Sequence, residues 1–156
     1  DVHLRSVLIC GAGGAARGVL APLLALEPKI VLIANRTAPR AQQLAGMFGD
    51  LGVVRGCGLD DLPAEPFDLI INATSAGLSG ELPPLDPRII GPHTVCYDMS
   101  YGREATPFLR WAQAQGAQHC IKGWGMLVEQ AAESFMLWRG VRPDTRAVIA
   151  ILEEGR

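Results

Sequence analysis

Ser6-Val7-Leu8-Ile9-Cys10-Gly11-Ala12-Gly13-Gly14-Ala15-Ala16 is the stretch whose reading decides how this chain folds. Its first five residues are almost wholly apolar, as in a strand covered on both faces of a sheet. A glycine-rich turn follows at once, and Ala15 opens a helical pattern that runs to about Leu26, with Pro28 as its stop. A strand delivered through bare glycines into a helix is the setting in which a dinucleotide pyrophosphate is held. Glycines let the backbone approach the phosphates, and the helix start offers free N–H groups and a partial positive charge. Ala16 stands where the strict motif has its last glycine, and alanine serves there because the need is close helix–strand packing. Gly11, Ala12, Gly13, Gly14 and Ala15 are therefore candidate cofactor contacts. The plainer reading is a glycine-rich turn that holds nothing.

Working outward, short apolar runs alternate with helical patterns, which predicts βαβ units and a parallel sheet. Residues 30–34 read as the second strand, and 38–48 as a helix closed by Gly49. Residues 52–54 form a weak third strand, and 60–66 a polar, proline-bounded connection. Residues 67–72 are the fourth strand, 77–92 a Gly- and Pro-rich loop with at most a short helix, and 94–98 the fifth strand. Thr106 followed by Pro107 marks a helix start, and that helix ends near Gly116. Residues 118–121 give a short sixth strand, 126–138 an apolar-rich helix ending at Gly140, and Asp144 caps a last helix to about Glu154. The plan is α/β, a Rossmann-like doubly wound, mainly parallel six-stranded sheet with helices on both faces, and residues 1–156 make one such domain.

Composition narrows the function. Of 156 residues, 49% are hydrophobic and 19% charged, which suits a folded core rather than a disordered chain. The net charge is only −2 and like charges form no block, so nucleic acid and anionic membrane partners have no electrostatic support. No apolar run reaches the roughly 20 residues of a membrane span. Cys10, Cys57, Cys96 and Cys120 stand at no metal-ligand spacing, and His3, His93 and His119 form no cluster, so no metal site is expected. The cysteines read as reduced, mostly buried thiols of a cytoplasmic protein.

Four further stretches carry chemistry. Asn35-Arg36-Thr37, with Arg40 one turn on, follows the second strand, where an NAD-binding domain usually places an acid for the ribose 2′-hydroxyl. Guanidinium groups there pair instead with a 2′-phosphate, unless Arg36 and Arg40 are simply solvated helix arginines. Asn72-Ala73-Thr74-Ser75-Ala76-Gly77 follows the fourth strand, where strand order should reverse, and its small polar residues can meet ribose or nicotinamide. Tyr97-Asp98-Met99-Ser100-Tyr101 ends the fifth strand, and Asp98 is either a structural carboxylate or a ligand contact. Lys122-Gly123-Trp124-Gly125-Met126 leads a helix in which Gln130 interrupts apolar residues, either with a partner for its amide or as an ordinary exposed or core-satisfied glutamine.

Together these stretches resemble the shikimate dehydrogenase family. The resemblance covers nearly the whole chain, with the motifs in the family's order. It implies reversible hydride transfer between NADPH and 3-dehydroshikimate, giving shikimate on the route to chorismate and the aromatic amino acids. Gly11 to Ala15 would hold the pyrophosphate, and Asn35, Arg36, Thr37 and Arg40 the 2′-phosphate. Thr74, Met99 and Gly123 would lie along the cofactor, and Tyr101 and Gln130 would touch the substrate. The family's catalytic Lys and Asp belong to an N-terminal substrate domain absent from this chain, so no catalytic residue is expected here, and the full-length enzyme could be a homodimer. Lys122 stands where the family has Asp, and Trp124 is bulkier than the family's residue. A quinate/shikimate dehydrogenase paralogue and a non-catalytic NADP-binding regulatory module are the alternative readings.

Overall fold

The computed structural model describes residues 4–74, 82, 84–102 and 104–154. Six strands form one sheet: β1 (Ser6–Cys10), β2 (Ile30–Asn35), β3 (Val54–Gly58), β4 (Leu69–Asn72), β5 (Val95–Asp98) and β6 (His119–Lys122). Their spatial order is β3-β2-β1-β4-β5-β6, and every pairing is parallel. Order therefore reverses between β1 and β4, as the sequence pattern predicts for a doubly wound sheet. Five α-helices lie among the described residues: α1 (Gly14–Leu24), α2 (Ala38–Gly46), α3 (Pro107–Ala114), α4 (Trp124–Arg139) and α5 (Arg146–Glu153).

Alternation along each strand sends successive side chains to opposite faces. Val7, Ile9, Val31, Ile33 and Ile71 pack on one side against Ala16, Leu20 and Leu24 of α1 and Ala41, Leu44 and Ala45 of α2. Leu8, Cys10, Leu32, Ala34, Ile70 and Cys96 pack on the other against Phe108, Leu109 and Ala112 of α3. Val7, Leu8, Ile9 and Cys10 are all fully buried, which is why β1 reads as a continuous apolar run. All four thiols are free. Burial pushes Cys10 and Cys96 up to about 12, and raises Cys57 and Cys120 as well. Such thiols stay protonated and behave as small apolar groups.

Several boundaries differ from expectation for identifiable reasons. The third strand is not at 52–54 but at Val54–Gly58, pairing with β2 from Val31↔Val54 to Asn35↔Gly58. Its two glycines hide it from strand propensity, yet a Cβ at Gly56 would lie 2.2 Å from the Ala41 backbone carbon of α2. Helix and strand pack too closely there for a side chain. α1 ends at Leu24, two residues early, and Glu27, at φ 52, makes the turn into β2. α4 starts at Trp124 rather than 126, and residues 87–89 of the proline-rich stretch form a 3₁₀ turn. The last helix takes Thr145 rather than Asp144 as its N-cap. The Asp144 carboxylate accepts the Arg146 backbone N–H at 3.1 Å but is also engaged by the Arg146 guanidinium at 2.6 Å.

The C-terminal hairpin stands apart from this core. α4 buries only Ala132 and α5 buries nothing. Ion pairs of Arg142 with Glu129 and Glu133, and a 2.6 Å hydrogen bond from the Thr145 hydroxyl to Glu129, tie the two helices together. Phe135, Met136, Leu137, Trp138, Val141, Val148 and Ile151 remain exposed on it. No described helix is long and apolar enough to cross a membrane.

Because Gly56 faces helix backbone rather than a flexible side chain, Gly56→Ala should force α2 off β3. Overpacking of this kind costs about 2 kcal/mol or more, read as a lowered urea midpoint. An unchanged midpoint would show that the α2–β3 contact is not as tight as described.

Candidate functional site

Every candidate motif emerges at the carboxyl edge of the sheet. The centre of that edge is organised by main chain. Gly11 donates its N–H to Ala34 O at 2.8 Å, and Ala73 donates to Cys10 O at 2.8 Å, so the exits of β1, β2 and β4 are bound together. Gly11 has φ +105, and a Cβ there would stand 3.0 Å from Ala73 O. No other residue makes this turn without strain and collision.

Beyond it, Ala12 is half-buried and Gly13, Gly14 and Ala15 are exposed. Gly13 is the N-cap of α1 and offers no side chain to its amides. A Cβ built on Gly13 or Gly14 meets nothing within 4 Å, so the corner is open. The first-turn N–H groups lack helical acceptors, and neither α1 nor α2 carries an acidic residue in its first turn. Free amides at a helix start with no carboxylate beside them have the chemistry that suits an anion.

The β2 exit lies beside it, since Ala34 is in register with Cys10. Asn35 donates its side-chain amide to Thr37 O at 3.0 Å and thereby shapes the turn into α2. Thr37 is the α2 N-cap, and Arg40 donates its backbone N–H to Thr37 O at 3.1 Å. Arg36, Thr37 and Arg40 are exposed, and neither guanidinium is engaged in a salt bridge among the described residues.

A buried polar hub braces the other half of the edge. Asp98, fully buried, accepts hydrogen bonds from the Asn72 amide at 3.0 Å, the Ser100 N–H at 2.9 Å and the Thr106 hydroxyl at 2.6 Å. The open choice for Asp98 is thus decided in favour of a structural carboxylate. Asn72 in turn accepts from the Thr74 hydroxyl at 2.7 Å and the Thr74 N–H at 3.3 Å, which sets the start of the β4 loop. Ser75, Ala76 and Gly77 lie outside the described residues, as does His3. Met99 donates its N–H to Asn72 O at 3.0 Å, and Gly123 donates to Ser100 O at 3.2 Å. A Cβ on Gly123 would lie 2.6 Å from Met99 O, so the β5 and β6 exits touch backbone to backbone. Burial raises the Tyr97 phenol.

Tyr101 is 53% exposed at the β5 exit, and Gln130 lies exposed on α4. The structure therefore brings Gly11 to Ala15, Asn35 to Arg40, Thr74, Met99, Tyr101 and Gly123 to one edge, while Gln130 stands along the helix leading from it. Two features were missed from sequence. One is the bond from Thr106 to Asp98, which makes a helix cap part of the hub. The other is the packing of Trp124 on Tyr101. The signal for the hub was present in two polar residues, Asn72 and Asp98, ending otherwise apolar strands. No group of three His, Cys, Asp or Glu able to hold a metal occurs among the described residues.

An all-parallel sheet, reversing at an open glycine corner on its carboxyl edge, places the chain in the Rossmann-like class of doubly wound domains. Comparison with known proteins narrows the class. Residues 1–79 match the family model described as Shikimate / quinate 5-dehydrogenase, and residues 123–153 match the Shikimate 5'-dehydrogenase C-terminal domain. The curated Shikimate dehydrogenase (NADP(+)) of Methylococcus capsulatus is 59% identical over 150 residues, covering 96% of this chain and 54% of that protein. The crystal structure of an Ael1 enzyme from Pseudomonas putida matches with TM-score 0.87 and 46% identity, covering 96% of this chain and 56% of that one. Shikimate 5-dehydrogenase from Thermus thermophilus, in complex with NADP(H) and shikimate, matches with TM-score 0.75 and 32% identity over 96% of this chain and 55% of that one. This chain belongs to the shikimate dehydrogenase family. It spans about half the length of the curated relatives it matches.

Removing the hub's acceptor tests its role. Asp98→Ala leaves the buried Asn72 amide without its partner and should lower stability by about 3 kcal/mol in urea titration. A loss below about 1 kcal/mol would mean that the hub does not hold the β4 and β5 exits in place.

Proposed function

We propose that this chain is the NADP-binding domain of a shikimate dehydrogenase, which reversibly reduces 3-dehydroshikimate to shikimate with NADPH. The observation that carries the reading is the open corner at Gly13 and Gly14 beside two exposed, carboxylate-free arginines. The residues fit the group. First-turn amides of α1 match a pyrophosphate, which is anionic and needs close backbone approach. Arg36 and Arg40 match a 2′-phosphate, which a carboxylate at this position would repel. The names of the relatives, and the NADP(H) and shikimate complex of the Thermus thermophilus enzyme, support the same cofactor and substrate.

When bound, the cofactor supplies the hydride at its nicotinamide ring. The chain's own residues bind and orient. Gly11 to Ala15 hold the phosphates, Asn35 and Thr37 shape the adenosine end, and Thr74, Met99 and Gly123 line the path to the reacting end. Tyr101 and Gln130 face the substrate from this side. Proton transfer at the reacting oxygen needs a positioned acid or base. Asp98 is buried and already accepts three internal hydrogen bonds, so it is not that group. We assign the proton-transfer groups to the part of the full-length enzyme that lies outside this chain. The relatives' greater length and the exposed apolar hairpin of α4 and α5 support a further domain packed there.

Titration of this chain with NADPH and NADH tests the reading. Losing one charge-assisted contact at an exposed site weakens binding about tenfold. Arg36→Ala should therefore cost NADPH affinity by about that factor and leave NADH affinity unchanged. Equal losses for both cofactors, or no binding of either by the unsubstituted chain, would contradict it.

A further inference from the structure

Beyond the contacts above, Tyr101 packs on a second ring, Trp124, which has no role among them. The Trp124 indole packs on the Tyr101 ring with centroids 5.5 Å apart and planes tilted by 41°. Neither ring belongs to the buried core: Tyr101 is 53% exposed and Trp124 is half-buried. Their positions are nevertheless set by main chain. Trp124 follows Gly123, which is wedged against Met99 O and donates to Ser100 O at 3.2 Å. Tyr101 leaves β5 three residues after Asp98, and Asp98 is in register with Lys122, two residues before Trp124.

Strand order converts this into a place on the cofactor's path. The amide cradle stands at β1, the arginines at β2, and β4, β5 and β6 follow on the other side. Neighbouring strands are about 4.8 Å apart, so the exits of β5 and β6 lie roughly 10 and 14 Å from that of β1. A dinucleotide anchored through its 2′-phosphate at β2 and its pyrophosphate at β1 extends along the edge toward β4 and β5. Past Met99 and Gly123, the next surface is the Tyr101–Trp124 pair. Partly exposed aromatic rings suit the stacking of another flat ring.

Resting on the proposed cofactor reading, we infer that Trp124, braced by Tyr101, forms the end wall against which the nicotinamide ring packs. Trp124 thereby sets the depth at which that ring stops. It contributes nothing to the adenosine end.

The test compares two ligands on this chain. NADPH carries the nicotinamide, whereas 2′,5′-ADP carries only the phosphorylated adenosine end. Loss of an aromatic stacking contact weakens binding about threefold to tenfold. Trp124→Ala should weaken NADPH by that factor and leave 2′,5′-ADP unchanged, and Trp124→Phe should recover most of the loss. Bound NADPH should also quench Trp124 emission, so its quenching signal should fall more in Trp124→Phe than in Trp111→Phe or Trp138→Phe. Unchanged NADPH affinity in Trp124→Ala would overturn the inference, as would equal weakening of both ligands, which marks a structural role. If the unsubstituted chain binds neither ligand, the cofactor reading itself falls and takes the inference with it. If it binds both and only the Trp124 comparison fails, the cofactor reading stands.

Discussion

Gly11 is the point on which the carboxyl edge turns. With φ +105 it turns the chain at the exit of β1, where a Cβ would stand 3.0 Å from the Ala73 carbonyl oxygen, and its N–H is bonded to Ala34. The next residues must then rise from the sheet as a helix, and nothing but backbone lies at the corner. A side chain at Gly11 would strain the turn and push the β4 exit away at once. The exits of β1 and β4 approach this closely because Gly11 carries no side chain, and the open corner begins beyond it at Gly13 and Gly14. The same reversal of strand order creates the crevice in which ligands of open α/β sheets sit.

Around that corner, polarity is arranged in two different ways. On the β2 side, charge is left in solvent: Arg36 and Arg40 are exposed, with no acid in the first turn of either nearby helix. On the β5 side, charge is buried and fully engaged. The Asp98 carboxylate gathers Asn72, Ser100 and Thr106, and Asn72 passes the constraint on to Thr74. No buried side-chain nitrogen or oxygen among the described residues lacks a partner. The first arrangement leaves groups available to an anion. The second fixes the loops that border it, as a preorganised site requires.

Much of this was legible in the sequence because it depends on period and on glycine. β1 and β2 are unbroken apolar runs, and their burial on both faces follows directly. The glycine turn, the arginines in place of an acid, and the Thr106-Pro107 helix start each carry a local physical cause. What could not be read was long-range. β3 was placed too early because Gly56 weakens strand propensity, while its need for glycine lies in α2, over ten residues away. Asp98 stayed undecided because its partners Asn72 and Thr106 come from other elements. The contact of Trp124 with Tyr101 joins residues on two strand exits, and no local pattern announces it.

On the proposed reading, bare amides at the β1–α1 corner hold the phosphates of the cofactor. Amide proton–nitrogen correlation spectra of this chain during NADP titration test that contact residue by residue. The largest shifts should fall on Gly13, Gly14 and Ala15, with Arg36 and Thr37 next, and the amino edge of the sheet should stay still. Spectra in which those corner amides do not move while signals elsewhere do would contradict it.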